Sequence, residues 1–195
     1  ADTVVDAAGV TVLPGMIDSQ VHFREPGNEQ KEDLESGTRS AALGGITAVF
    51  EMPNTNPLTT SADALADKIS RAAGRSWTDH AFFMGAAADN ADDLAELERV
   101  PGCCGVKMFM GSSTGDLLVP DDETVRRVLS NGTRRMSVHS EDEYRLNERK
   151  GERVEGDPSS HPVWRDEETA IRSTKRLLAI ARETGRRVHV LHITT

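Results

Sequence analysis

The run Asp166-Glu-Glu-Thr-Ala-Ile-Arg-Ser-Thr-Lys-Arg-Leu-Leu-Ala-Ile-Ala-Arg-Glu-Thr-Gly-Arg-Arg-Val-His-Val-Leu-His-Ile193 holds one complete helix-to-strand step. Ile171, Thr174, Leu178 and Ala181 recur at helical spacing over about 166–183. Gly185 then stops the helix, and 188–193 is a short apolar run that closes on His192. The same alternation extends back through the chain. Strands are expected at about 15–22, 46–52, 80–84, 105–110 and 136–139, and helices at about 33–44, after the N-cap Ser61, at 91–99 and at 121–129. Such an order specifies βα units on a parallel sheet. Six units suit either an open doubly wound sheet or part of an eight-stranded barrel.

The strand ends decide between them. His22, Asn54, Lys107, His139 and His192 fall where one strand after another finishes. A barrel gathers its strand C-termini round one mouth, whereas an open sheet spreads them along an edge. The expected fold class is therefore α/β, a (β/α)8 TIM-type barrel with about six of its eight units present. Residues 15–195 form the partial barrel and 1–14 end a small β-rich N-terminal domain. A full barrel takes about 250 residues, so two further units are expected after Thr195.

The 23 Lys and Arg against 32 Asp and Glu give a net charge of −9, a field that repels phosphate backbones and anionic headgroups. No nucleic acid and no membrane partner is expected. Hydrophobic residues make up 37% and no apolar run approaches the ~18 residues of a membrane span. The start, Ala-Asp-Thr-Val-Val-Asp, lacks a basic stretch before an apolar core, and the two cysteines, Cys103 and Cys104, are neighbours, which disfavours a bridge. Free thiols in a cytoplasmic protein are expected, without a nucleophilic role.

Strand alternation puts Gln20, His22 and Arg24 on one side of the chain. A single His is commonly a packed or surface residue. Three apolar runs closing on His22, His139 and His192 are more than coincidence supplies, and neutral imidazole is the commonest zinc ligand. His189 is read as structural. Lys107 stands in an apolar run where a buried ammonium is costly. It either reaches along the strand to solvent or, with a depressed pKa, takes up carbon dioxide to become a metal-bridging carbamate. Asn54 is either a turn residue of Pro53-Asn-Thr-Asn-Pro57 or a polar contact at the mouth. Gly111-Ser-Ser-Thr-Gly115 lacks the Lys-Ser/Thr ending of a phosphate loop and reads as a flexible loop, and Glu141 to Arg153 as a solvated helix.

Val21-His-Phe-Arg-Glu-Pro-Gly27, Lys31-Glu-Asp33, Gly44-Gly-Ile-Thr47, Met52-Pro-Asn-Thr55, Gly105-Val-Lys107, Val138-His-Ser-Glu141 and Leu191-His-Ile-Thr194 together resemble the dihydroorotases of the amidohydrolase superfamily. The resemblance spans nearly the whole chain. It implies a zinc-dependent cyclic amidohydrolase that interconverts dihydroorotate and N-carbamoyl-L-aspartate in pyrimidine biosynthesis, by attack of a metal-bound hydroxide on the ring amide. It also implies one or two Zn2+ ions held by His22, His139, His192 and a carboxylated bridging Lys107, with Arg24 and Asn54 on the substrate carboxylate. Gln20 departs from the family's His-x-His, which leaves the metal count open. The family's strand-eight Asp, a metal ligand and proton shuttle, would lie past Thr195, so the 195 residues alone would be inactive. The alternatives are an allantoinase or hydantoinase type of hydrolase, or a non-catalytic scaffold. The implied partners are a small-molecule substrate, further copies of the chain, or aspartate transcarbamoylase.

Overall fold

The computed structural model describes residues 3–111 and 117–193, so 112–115 of the expected mouth loop lie outside the described residues. Six strands form one sheet: β1 Met16–Val21, β2 Ile46–Glu51, β3 Asp79–Gly85, β4 Cys103–Phe109, β5 Met136–His139 and β6 Val188–Val190. Every neighbouring pair is parallel and the order is β1 to β6 in sequence. A doubly wound sheet reverses its strand order at a switch point. The unbroken order is that of a barrel wall, and six strands make a partial one.

The helices lie between the strands: α1 Leu34–Leu43, α2 Ala62–Ala72, α3 Leu94–Leu97, α4 Asp122–Ser130, α5 Glu143–Arg149, α6 His161–Trp164 and α7 Glu167–Thr184. Local chemistry sets their starts. Asp33, Ser61, Asp121, Asp142 and Asp166 each accept the backbone N–H three residues on, at 2.7 to 3.2 Å. Such a cap contributes ~1 kcal/mol. α7 ends on Gly185, whose φ of 70° suits glycine. The helix expected over 91–99 shrinks to α3. The Asn90 side chain accepts from Ala87 N and donates to the carbonyls of Thr60 and Gly85, and this holds the chain in turns up to Asp93.

Outward side chains of the strands, such as Phe82, Met84, Val106 and Met108, are fully buried with Leu65 of α2, Val128 of α4 and Leu177 of α7 in one apolar cluster. Each contributes ~1.5–3 kcal/mol by leaving water. On the other face Met52, Phe83 and Leu191 form a small inner cluster with Phe50 and Cys104. Lys107 stands three residues beyond Cys104 on β4. Both cysteines are free, and burial pushes the Cys104 thiol far up, away from thiolate chemistry.

At the opposite end of the strands, Glu98 joins three connections. It accepts from Thr133 N at 2.6 Å, from Arg134 N at 3.2 Å and from Arg186 Nη2 at 2.7 Å. Arg186 also donates to Asn131 O at 3.0 Å, so the entries to β4, β5 and β6 share one buried ion pair. β1 and β6 are the outer strands, and Met16, Ile17 and Ile193 beside them are exposed. Residues 3–15 precede β1 with one turn and no strand. Among the described residues no helix is long and apolar enough to cross a membrane.

Candidate active site

The C-terminal strand ends bring the chemistry together. His139 is the last residue of β5 and His192 lies two residues past β6. Their rings meet edge to face with centroids 4.7 Å apart, and His139 Nδ1 lies 3.0 Å from His192 Nε2. Lys107, on the inner face of β4, is 1% exposed, and among the described residues its ammonium has neither an ion pair nor a hydrogen bond. Nζ lies 4.5 Å from the Phe109 ring centroid. Burial lowers the Lys107 pKa to about 7. Of the two sequence readings of this residue, a side chain that reaches along the strand to solvent does not fit an exposure of 1%. The strand holds the side chain against the Phe109 ring at the inner face instead of letting it run out along the surface.

His22 follows β1. Burial, then the cations of Arg24, Lys107 and Lys68, bring its pKa down to about 4, against the opposing effect of Asn54 beside it, so the ring is neutral at pH 7. Burial, then His139 and Lys107, also lower His192. Lys107 thus lies within electrostatic reach of both histidines.

Arg24 reaches the site by a different route from simple alternation, because β1 ends at Val21. Arg24 has φ 65° and His192 φ 37°; these are the non-glycine residues with positive φ among the described residues. Non-glycine residues in that region cluster at functional sites. Glu25 anchors the turn. It is 3% exposed and accepts from Leu34 N at 3.0 Å and from Arg75 at 2.7 and 3.2 Å. The Arg24 guanidinium itself has no hydrogen bond or ion pair among the described residues. It lines a cleft of about 1390 Å3 together with Asn28, Asn54 and Phe109. Asn54 Oδ1 is buried without a hydrogen-bond partner. The strand end carrying Asn54 is held by Lys68 of α2, which pairs with buried Glu51 and donates to Met52 O at 3.0 Å.

Two further polar residues escaped the sequence reading. Glu141, expected on a solvated helix, is half-buried, with His139 Nε2 at 2.5 Å and Arg165 Nε at 2.9 Å. Burial alone would raise its pKa, yet hydrogen bonds from His139 and Arg165 hold it at about 2. A second hollow, of about 600 Å3, is lined by His139, Glu141, Arg165 and His192. His189 is exposed in β6 and pairs in register with Ser137.

The donor set suits zinc at one end of this arrangement. Two imidazole nitrogens on one tetrahedral zinc, each bonded at ~2.0–2.1 Å, stand about 3.3 Å apart, a few tenths more than the His139–His192 gap. Gln20 beside His22 offers an amide, a poorer zinc donor than imidazole. Among the described residues no three His, Cys, Asp or Glu side chains converge on a common point.

A parallel partial barrel with imidazoles and a buried, unpaired lysine at its strand ends defines the class, an amidohydrolase-type barrel. Residues 9–99 match the family model described as dihydro-orotase-like. A dihydroorotase of Halobacterium salinarum is 35% identical over 98% of this chain and 45% of its own length. An allantoinase of Salmonella paratyphi B is 34% identical over 100% of the chain and 46% of its own. Among solved structures, the L-hydantoinase (dihydropyrimidinase) from Arthrobacter aurescens superposes with a TM-score of 0.80 at 26% identity, over 92% of this chain and 42% of that one. The dihydropyrimidinase from Brevibacillus agri gives 0.79 at 26% identity, over 93% and 41%. The chain is dihydro-orotase-like in sequence over residues 9–99, and over nearly its whole length it is similar to cyclic amidohydrolases. It spans a little under half the length of the curated relatives it matches.

Proposed function

We propose that this chain carries the binding half of a dihydroorotase, a cytoplasmic enzyme of pyrimidine biosynthesis that opens and closes the ring amide of dihydroorotate. In this reading residues 15–195 are the partial barrel and 1–14 the end of a small β-rich domain. The observation that carries it is Arg24: an unpaired guanidinium beside His22, in one cleft with Asn54. That fork suits the carboxylate of dihydroorotate, which allantoin lacks.

His139 Nδ1, His192 Nε2, the Lys107 carbamate and His22 are the groups that would hold zinc. Zinc bound there activates water near neutral pH and polarises the amide carbonyl. The chain's own residues do the rest. Arg24 and Asn54 take the substrate carboxylate, fixing which carbonyl of the ring faces the histidines. Phe109 and the inner apolar cluster keep the floor of the site dry, which strengthens each of these charge contacts. Hydrolysis adds water across the ring C–N bond, leaving a new carboxylate and a ureido N–H.

The test is turnover by the full-length protein supplied with zinc and bicarbonate, with dihydroorotate and allantoin side by side. Dihydroorotate is expected to turn over. Arg24→Ala is expected to raise its KM roughly 10- to 100-fold, the value of a lost charge-assisted contact. Turnover of allantoin alone would replace the reading by an allantoinase; a folded protein active on neither would be a scaffold.

The carbamate has its own check. The Lys107 amine is largely neutral above about pH 7, the form that reacts with carbon dioxide. Protein incubated with 13C-bicarbonate and zinc at pH 8 is expected to show a carbamate carbon signal that Lys107→Arg lacks. A spectrum identical in the two proteins would remove the bridging role.

A further inference from the structure

His139 is bound on both sides. Its Nδ1 faces His192, and its Nε2 lies 2.5 Å from Glu141 Oε2. A carboxylate at pH 7 only accepts hydrogen bonds, so the contact requires the proton on Nε2. In a neutral imidazole the lone pair then stands on Nδ1, toward His192 and the interior of the site. Glu141 is itself fixed. Arg165 reaches both of its oxygens, Nε to Oε1 at 2.9 Å and Nη2 to Oε2, so that Oε2 is shared between Arg165 and His139.

The segment between β5 and α7 delivers that arginine. Arg149 of α5 donates to Val163 O at 3.1 and 2.6 Å, and Arg145 holds Asp166, the N-cap of α7, through Nε at 2.8 Å. The Arg165 backbone N–H donates to His161 O at 3.0 Å and its guanidinium lies 5.6 Å from the Trp164 ring centroid. Arg165 is therefore pinned on either side in sequence, and the polar stretch after β5 serves to place a guanidinium opposite Glu141.

We infer that Glu141, clamped by Arg165, is a positioning residue that fixes His139 as the Nε2-protonated tautomer and so presents Nδ1 to the site. Outer partners of this kind orient metal-binding imidazoles, and their loss typically weakens metal affinity 10- to 100-fold. The consequence for metal rests on the proposed function; the tautomer does not.

Nitrogen-15 NMR of the imidazoles in the metal-free, full-length protein, with His139 assigned by its absence from His139→Gln, decides the matter. His139 is expected as the Nε2–H tautomer in the parent protein and in Glu141→Gln, which keeps an acceptor oxygen. In Glu141→Ala and Arg165→Ala it is expected to become a mixture of tautomers. Zn2+ affinity by competition with a chromophoric chelator is expected to fall roughly 10- to 100-fold in Glu141→Ala. A parent His139 protonated on Nδ1, or an unchanged tautomer in both alanine variants, overturns the inference. If Glu141→Ala does not fold, Arg165→Ala carries the test. A parent protein that binds no Zn2+ refutes the metal reading, while the NMR still judges the tautomer.

Discussion

His192→Ala is expected to lower the bound zinc of the full-length protein to background and its cyclic-amide turnover by roughly 10²- to 10³-fold, the range of loss on removing one group that stabilises the developing oxyanion. His139 Nδ1 and His192 Nε2 stand 3.0 Å apart at adjoining strand ends. Removing one leaves a single imidazole beside Lys107 at that end of the site, too few donors to hold a zinc ion there. His139→Ala should match it in metal content. His22→Ala should be milder for the metal at this pair, because His22 follows β1, the strand farthest in sheet order from β6. Metal analysis and turnover are read together on the purified variants. Full metal content in both alanine variants would mean that these nitrogens are not ligands.

The reach of the sequence depended on how local each signal is. Asp33, Ser61, Asp121 and Asp166 announce helix starts because a cap is a contact over three residues. The sheet order followed from repeated helix-to-strand steps, and the site histidines from where apolar runs ended. What stayed hidden was long-range. Glu141 is defined by Arg165, 24 residues away, and Glu25 by Arg75, 50 residues away. Nothing in Ser-Glu-Asp-Glu-Tyr separates a clamped carboxylate from a solvated one. The fate of Lys107 was equally open, since burial of one strand face depends on what the neighbouring strands supply. Arg24 came out at the site, but by a turn with φ 65° and not by continued alternation. The helix expected over 91–99 shortened to 94–97 because Asn90 spends its side chain on backbone groups from two other segments, Thr60 and Gly85.

Glu98→Ala is expected to cost about 3–5 kcal/mol of stability, read from the urea-unfolding midpoint, because it leaves a guanidinium buried with no counter-charge. Glu98 is 0% and Arg186 2% exposed at the side chain, and Arg186 Nε already lacks a partner. Relaxation offers little relief. Gly132, at φ 99°, passes so close that a Cβ there would lie 2.5 Å from Glu98 Oε2, which shows how tightly the loop wraps the pair. Removing both charges, in Glu98→Ala with Arg186→Met, should recover much of the loss, since apolar replacements of buried pairs are often neutral. The sign with pH follows from the carboxylate. Burial raises the Glu98 pKa, but the backbone N–H groups of Thr133 and Arg134, and then Arg186, bring it below the ordinary value. Its contribution is thus full above the ordinary carboxylate pKa and fades as the pH falls through the lower folded one. Glu98→Gln should flatten that acid limb. The pair lies at the N-terminal end of the strands, away from His139 and Lys107, so variants that fold should keep their zinc. A midpoint unmoved in Glu98→Ala would mean that the three loops hold together without the pair.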